Sequence, residues 1–357
     1  MYVPIIKWRQ GEYLALERLE DKIKNEVMPL IEVPPIEWDF ARGVLAKTID
    51  DHLSRFAYRF HKKWEGRSAY IDFNLLDPSY RLIGNIHPVT FIFTELSKIG
   101  ERAIPVTSPY RDLPYQKAIK DIINENEVEK EVCFRLSFKD LIKINISSEV
   151  DNLANTLNVK PREINLVIDL DSPNFNPISS FANVLKASVN KFKNIKDFKS
   201  LTIVSTAFPK SMGEVQRGSQ TVKRSEWDLY LEYYSNLTSN DVTPQFGDYA
   251  IAHPVLPQQD MRLLKPAASL RYTIDNAWWI GKGTNVRDNG FEQYRDICKS
   301  IVSSPHFCGA KYSRGDAYIK DCSDGTGSTG NLPTWRWVGT NHHITKVVND
   351  LASFGAP

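Results

Sequence analysis

Cysteine is scarce in this 357-residue sequence, and the four present, Cys133, Cys298, Cys308 and Cys322, are scattered without a CxxC pair. That excludes a zinc ribbon and a secreted disulfide scaffold, and a reducing, cytoplasmic compartment is expected. Long apolar runs are missing too: nothing approaches the roughly 20 residues of a membrane-spanning helix. The opening MYVPIIKWRQ reaches Lys7 and Arg9 after only a short apolar run, so no signal peptide, anchor or membrane partner is expected. An excess of one charge is absent: 45 basic and 43 acidic residues leave a formal net charge of +2. No global positive field invites nucleic acid, which would have to use a local basic patch. Also missing are HExxH, GxSxG, a P-loop and a Cys/His nucleophile signature, so no motif selects a named mechanism.

What is there is a recurring alternation. Eight short apolar, β-branched runs are read as strands: YVPIIKW, VMPLIEV, SAYIDFN, RAIPVTS, EVCFRLS, INLVIDLD, LTIVSTA and GDYAIAHPV. Stretches of helical period separate them, at 11–19, 45–64, 89–100, 114–130, 138–157, 178–192 and 225–237. That order predicts an α/β fold, a (β/α)8 TIM-like barrel. A doubly wound open sheet would alternate similarly, but no GxGxxG follows the first strand.

The strand ends carry charge. Lys7, Glu32, Asp72, Arg135 and Asp169 each close an apolar run, and Ser205 with Thr206 follow another. A parallel barrel brings those ends to one mouth, where barrel enzymes keep their active sites. Glu32, Asp72 and Asp169, with Asp171 nearby, are candidate catalytic carboxylates and candidate oxygen ligands for Mg²⁺ or Mn²⁺. Lys7, Arg9 and Arg135 are candidate ligand-binding cations. The competing reading is that these charges only neutralise one another and close the barrel. The loop AFPKSMGEVQRGSQTVKRSEW carries Lys210, Arg217, Lys223 and Arg224 around two glycines, and is read as a basic lid or phosphate-receiving segment, with a solvated surface loop as the alternative.

Beyond the eighth run, ASLRYTIDNAWWIGKG predicts a β-hairpin near 269–283, and FEQYRDICKSIVSS a helix that completes the ring. The barrel is placed at 1–305. Residues 306–357 form an appendage rich in glycine and tryptophan, expected to be largely irregular until a helix begins near the adjacent His342 and His343, with Thr340 or Asn341 as its cap. A histidine pair at a helix start would suit an anion or acid–base chemistry.

The opening YVPIIKWRQGEYLAL, with PLIEVP, FGDYAIAHP, LRYTIDNAWWIGKG and above all RGDAYIKDCSDGTGSTGNLPTWRWVGTNHHIT, resembles the "beta protein" family of phages and bacteria over essentially the whole chain. Asp248, Arg271, Tyr272, Arg336, His342 and His343 match its pattern. Arg314 departs from it, standing where the family has tryptophan. The resemblance implies an association with antiviral defence and carries no catalytic assignment.

The functional expectation is a charged mouth that binds a phosphorylated small molecule, nucleotide or nucleic acid and acts on it as a phosphoester-cleaving enzyme. If the C-terminal segment folds over the mouth, Arg336, His342 and His343 meet Lys7 and Glu32 there. The alternative is a non-catalytic sensor or interaction module that recognises a phage component or protein partner through exposed Trp278, Trp335 and Trp337.

Overall fold

The computed structural model describes residues 1–125, 130–256 and 263–354; the end of the helical stretch predicted at 114–130 and the last three residues lie outside them. Eight parallel strands close a barrel: β1 (Tyr2–Lys7), β2 (Leu30–Glu32), β3 (Tyr70–Asp72), β4 (Ile104–Thr107), β5 (Val132–Ser137), β6 (Ile164–Asp169), β7 (Ser200–Val204) and β8 (Gln245–Asp248). Each pairs with its neighbours in chain order, and β8 returns to β1. All eight predicted runs contribute a strand. The eighth starts two residues earlier than GDYAIAHPV, so Tyr249 stands just beyond its end.

Alternation along each strand separates two cores. Val3, Ile5, Leu30, Tyr70, Cys133 and Val167 belong to the cluster that fills the barrel. Tyr2, Ile6, Ile31, Ile71, Phe134 and Ile168, one residue out of step, pack outward with the helices. A side chain two residues beyond an inner one occupies the next layer up. Lys7 follows Ile5, Glu32 follows Leu30, Asp72 follows Tyr70, Arg135 follows Cys133, and Asp169 follows Val167 by that step.

The chain after β7 departs from the expectation in two ways. The basic loop is no free lid: Gly218–Lys223 is an edge strand on the predicted hairpin, giving a three-stranded antiparallel sheet with Ala277–Asn285 in the centre and Ala267–Thr273 on the far side. The appendage is helical, with Arg314–Asp324 followed by Leu332–Phe354. Ser313 caps the first of these by accepting from Asp316 N–H.

The helix Gln293–Val302 does not complete the ring. Its Tyr294, Cys298 and Ile301 pack in the appendage core. The long C-terminal helix does so instead: Trp335, Trp337 and Val338 lie in the appendage core, while Ile344, Val347 and Val348 join the outer core of the barrel. Gly339 permits a close approach to the accessory sheet, since a Cβ there would sit 2.7 Å from both the Arg271 carbonyl oxygen and Ile251 Cδ1. Among the described residues, no helix is long and apolar enough to cross a membrane.

Candidate functional site in the barrel mouth

The layer above the apolar interior is a closed ionic cluster centred on Arg135. Its Nε and Nη2 donate to Asp169 Oδ2 at 3.0 and 2.6 Å, and Nη1 donates to Glu32 Oε1 at 2.9 Å and Asp72 Oδ2 at 2.7 Å. Nη2 also donates to the Tyr249 hydroxyl at 3.0 Å, which in turn donates to Asp169 at 2.6 Å. A guanidinium has five N–H groups, and all are engaged. Burial opposes the charge on Arg135, but Asp169, Tyr249, Glu32 and Asp72 outweigh it and hold its pKa well above the ordinary value.

The second oxygens are mostly committed too. Asp72 Oδ1 accepts from Asn74 N–H at 2.9 Å and Arg111 Nη2 at 2.8 Å. Burial would raise the Asp72 pKa, yet Arg111 and Arg135 lower it below the usual carboxylate range. Asp169 Oδ1 accepts from Asp171 N–H at 2.9 Å. Glu32 Oε2 is the exception: it is buried and, among the described residues, accepts no hydrogen bond, with Lys7 Nζ at 3.6 Å. Burial lowers the Lys7 pKa, with Glu32 and Glu12 opposing and Arg336 and Arg135 adding to the fall.

Above this floor opens a cavity of about 640 Å³, lined by Glu32, Arg135, Asp169 and Tyr249 below and by Asn74, Ser108, Arg111, Ser137, Asp140, Lys143 and Asp171 around the rim. Its size suits a small polar ligand. Asp171 (φ 60°) and Ala250 (φ 52°) both adopt left-handed backbone beside it, a strain that folded surroundings must sustain.

The three carboxylates do not suit Mg²⁺ or Mn²⁺. Arg135 already occupies the space between them, and among the described residues no group of three or more His, Cys, Asp or Glu side chains is placed to hold a metal ion. Nor is Arg135 a ligand anchor, because it has no free donor. Arg9 pairs with Glu37 at 3.7 Å on the surface, and Arg217 is exposed in the loop before the edge strand. Ser205 and Thr206 are buried and do not line the cavity.

The paired histidines are elsewhere. The helix begins at Leu332, so His342 and His343 lie mid-helix, fully buried, with no helix N-terminus to offer an anion. His343 Nε2 donates to Asp248 Oδ2 at 2.9 Å, and its Nδ1 meets Thr273 Oγ1 at 2.7 Å. His342 reaches Asp316 Oδ2 and the Thr273 carbonyl, each at 2.8 Å. Tyr2 donates to Asp248 and Tyr272 to Asp316. Asp248 is one residue out of step with Tyr249 and therefore lies outside the barrel wall. The Thr273–His343–Asp248 chain has the hydrogen bonds of a catalytic triad, but every member is fully buried and none lines the mouth cavity. Its work is to join β1, β8, the accessory sheet and the last helix. Burial lowers the His343 pKa despite Asp248.

Of the remaining predicted residues, Arg271 and Arg336 donate to one carbonyl, that of Ile251, at 2.9 and 3.0 Å. Arg336 is also 3.7 Å from Glu12 and lines a water-sized void with Lys7 and Tyr249. Trp278, Trp335 and Trp337 are buried and offer no exposed anchors.

A match to the family model described as Beta protein runs over residues 2–349. The chain belongs to the Beta protein family. The expectation drawn from its motifs thus holds for the family and the barrel. No curated protein matches this family member. Among solved structures it is similar to triosephosphate isomerase from Bartonella henselae, at 9% identity and a TM-score of 0.34, covering 69% of this chain and 90% of that one. It is also similar to a fungal β-1,4-galactanase, at 11% identity and a TM-score of 0.39, covering 70% and 89%.

Sequence reasoning missed Tyr249, Arg111, Lys143 and His253. Tyr249 had a usable signal, since it lies two residues beyond Gly247, which pairs with Val3 of the inner face. Burial lowers the His253 pKa, with Asp171 and Glu214 opposing and Lys210 and Lys7 adding to the fall. Its Nδ1 accepts from Val255 N–H at 3.1 Å, and its neighbours Pro254 and Val255 line the mouth. His253 itself, like His342 and His343, does not line the cavity.

Proposed function

We infer that the barrel mouth binds a small phosphorylated molecule or nucleotide, and that Glu32 acts on it as an acid–base group. The observation that carries this reading is the division of labour around the cavity. Apart from Lys7 and Glu32 Oε2, the inner charges satisfy one another, whereas Arg111 and Lys143 on the rim keep donors to spare. Arg111 makes hydrogen bonds through one N–H on each of Nη1 and Nη2, and Lys143 donates to Asp140 at 3.0 Å and also meets Tyr110, which leaves it one N–H. An anionic group seated between them would receive charge-assisted hydrogen bonds. The rest of the molecule would then reach the unpartnered Glu32 Oε2 on the floor. Metal-assisted phosphoester cleavage is not part of the reading, because the carboxylates are already held by Arg135. A place in phage defence, suggested by the family, would be exercised through that ligand.

Calorimetric titration with nucleoside monophosphates and sugar phosphates tests it. Arg111→Gln and Lys143→Gln should each weaken binding about tenfold, the lower range for a hydrogen bond to a charged group. Unchanged affinity in both variants, or no binding across the panel, would refute the reading.

A further inference from the structure

We propose that Lys7 is a reactive amine that condenses with an aldehyde or ketone carbonyl delivered to the barrel mouth, forming an imine. Two lysines of this protein are comparably buried and face a glutamate, and they differ in how they meet it. Lys24 closes to 2.9 Å on Glu65 and hydrogen-bonds it. Lys7 stays 3.6 Å from Glu32 Oε2 and, among the described residues, makes no hydrogen bond at all, while Oε2 is likewise left without one. A buried pair kept for stability should close and satisfy its groups, because unsatisfied buried polar atoms are costly. A buried ammonium without a hydrogen bond is disfavoured by its burial, and the free carboxylate oxygen beside it can take up its proton.

The surroundings fit that chemistry. Lys7 ends β1, at the face where barrel chemistry takes place. Its neighbours Glu32 and Tyr249 both line the mouth cavity, and Tyr249 also lines the small void that Lys7 shares with Glu12 and Arg336. The charged groups facing Lys7 come from four elements: Glu32 on β2, Glu12 on the first helix, Arg135 on β5 and Arg336 on the last helix. Among the described residues, it is the lysine whose pKa is lowered, with burial as the largest cause.

The step balances without oxidant or metal. Lys7 passes a proton to Glu32 Oε2, and the neutral Nζ attacks the carbonyl carbon, forming the C–N bond as the oxygen takes up a proton. The resulting carbinolamine loses its hydroxyl as water, with the proton returned by Glu32. Ammonium and carbonyl enter; protonated imine and one water leave. That the natural carbonyl compound also carries phosphate rests on the reading of the mouth given above.

The test uses the full chain and three probes. Acetylacetone, which carries no phosphate, is applied over a pH series, and the modified lysine is located by peptide mapping. Glycolaldehyde and glycolaldehyde phosphate are applied separately with borohydride to trap the imine. Lys7 should be the preferred site for acetylacetone, with a labelling midpoint at least one pH unit below the surface lysines, equivalent to about tenfold faster labelling at neutral pH, while Lys24 stays unmodified. Labelling confined to surface lysines, or Lys7 reacting only at their pH, would overturn the proposal. If Lys7 is trapped equally by both aldehydes, the amine stands and the phosphate reading of the mouth falls. A clear preference for the phosphate form supports both.

Discussion

Asp169 Oδ2 accepts three hydrogen bonds, two from Arg135 and one from the Tyr249 hydroxyl. One oxygen thus ties β5, β6 and the turn after β8 across the barrel mouth, and Arg135 carries the tie onward to Glu32 and Asp72. Replacing Arg135 by Met would leave three carboxylates buried together without their cation. The expected cost is about 3–5 kcal/mol, the range for removing one partner of a buried ion pair, read from urea denaturation. Tyr249→Phe removes hydrogen bonds but no charge, and should cost only about 1–2 kcal/mol.

Glu32→Gln separates the floor's chemistry from its structure. The amide carbonyl can still accept from Arg135, so melting should change little, while acid–base function at Oε2 is lost. Since the Glu32 charge raises the Lys7 pKa against burial, its removal should move the pH midpoint of Lys7 labelling further down. An upward move would mean that Glu32 does not govern the amine.

Glu226 is fully buried beside Arg224 and Asp248, and burial pushes its pKa up to about 7, with Arg224 opposing and Asp248 reinforcing the shift. The unfolded value lies near 4.3, so the folded state holds the extra proton between those two limits. Stability from this carboxyl is therefore present at low pH and declines as pH rises from about 4.5 to 7. Glu226→Gln should remove that pH-dependent decline, while leaving the buried Arg224, 3.2 Å away, without this charged partner. Parallel stability–pH curves for the two proteins would contradict the assignment.

His343→Gln should lower stability by about 1–3 kcal/mol through the orphaned Asp248 and Thr273 groups. Ligand binding and Lys7 labelling should persist in the folded fraction. Loss of Lys7 labelling without loss of stability would restore this histidine to the active site.

Gly339→Ala tests the contact between the last helix and the accessory sheet. Alanine favours a helix by about 1 kcal/mol over glycine. Here its Cβ would sit 2.7 Å from the Arg271 carbonyl oxygen, so a net destabilisation of about 1–3 kcal/mol by overpacking is expected. A raised melting temperature would show that the sheet can yield.

The barrel was legible because its signal is local. Each strand is a short apolar run, five of the eight end in a charged residue, and the two-residue repeat that places Ile5 inside places Lys7 above it. The same rule extends to Tyr249, whose role was missed because the eighth strand was started at Gly247 rather than Gln245. Arg111 and Lys143 gave no such warning: they come from the segments after β4 and β5 and reach the cavity only through the way those segments fold back.

The C-terminal segment shows the opposite case. Thr340, Asn341, His342 and His343 interrupt the apolar period, and a polar interruption reads as a helix start. Within the helix that forms, all four are buried, and three are hydrogen-bonded through their side chains: Asn341 to Ala15 O and Gly315 N–H, His342 to Asp316, and His343 to Asp248. Sequence by itself determined the eight strands, their two faces and the charged layer at the mouth, because alternation follows from backbone geometry alone. Only the tertiary structure decided which charges were spent on one another, and that the histidine pair fastens the appendage to the barrel. Buried polar groups take their meaning from partners that folding brings to them from distant parts of the chain.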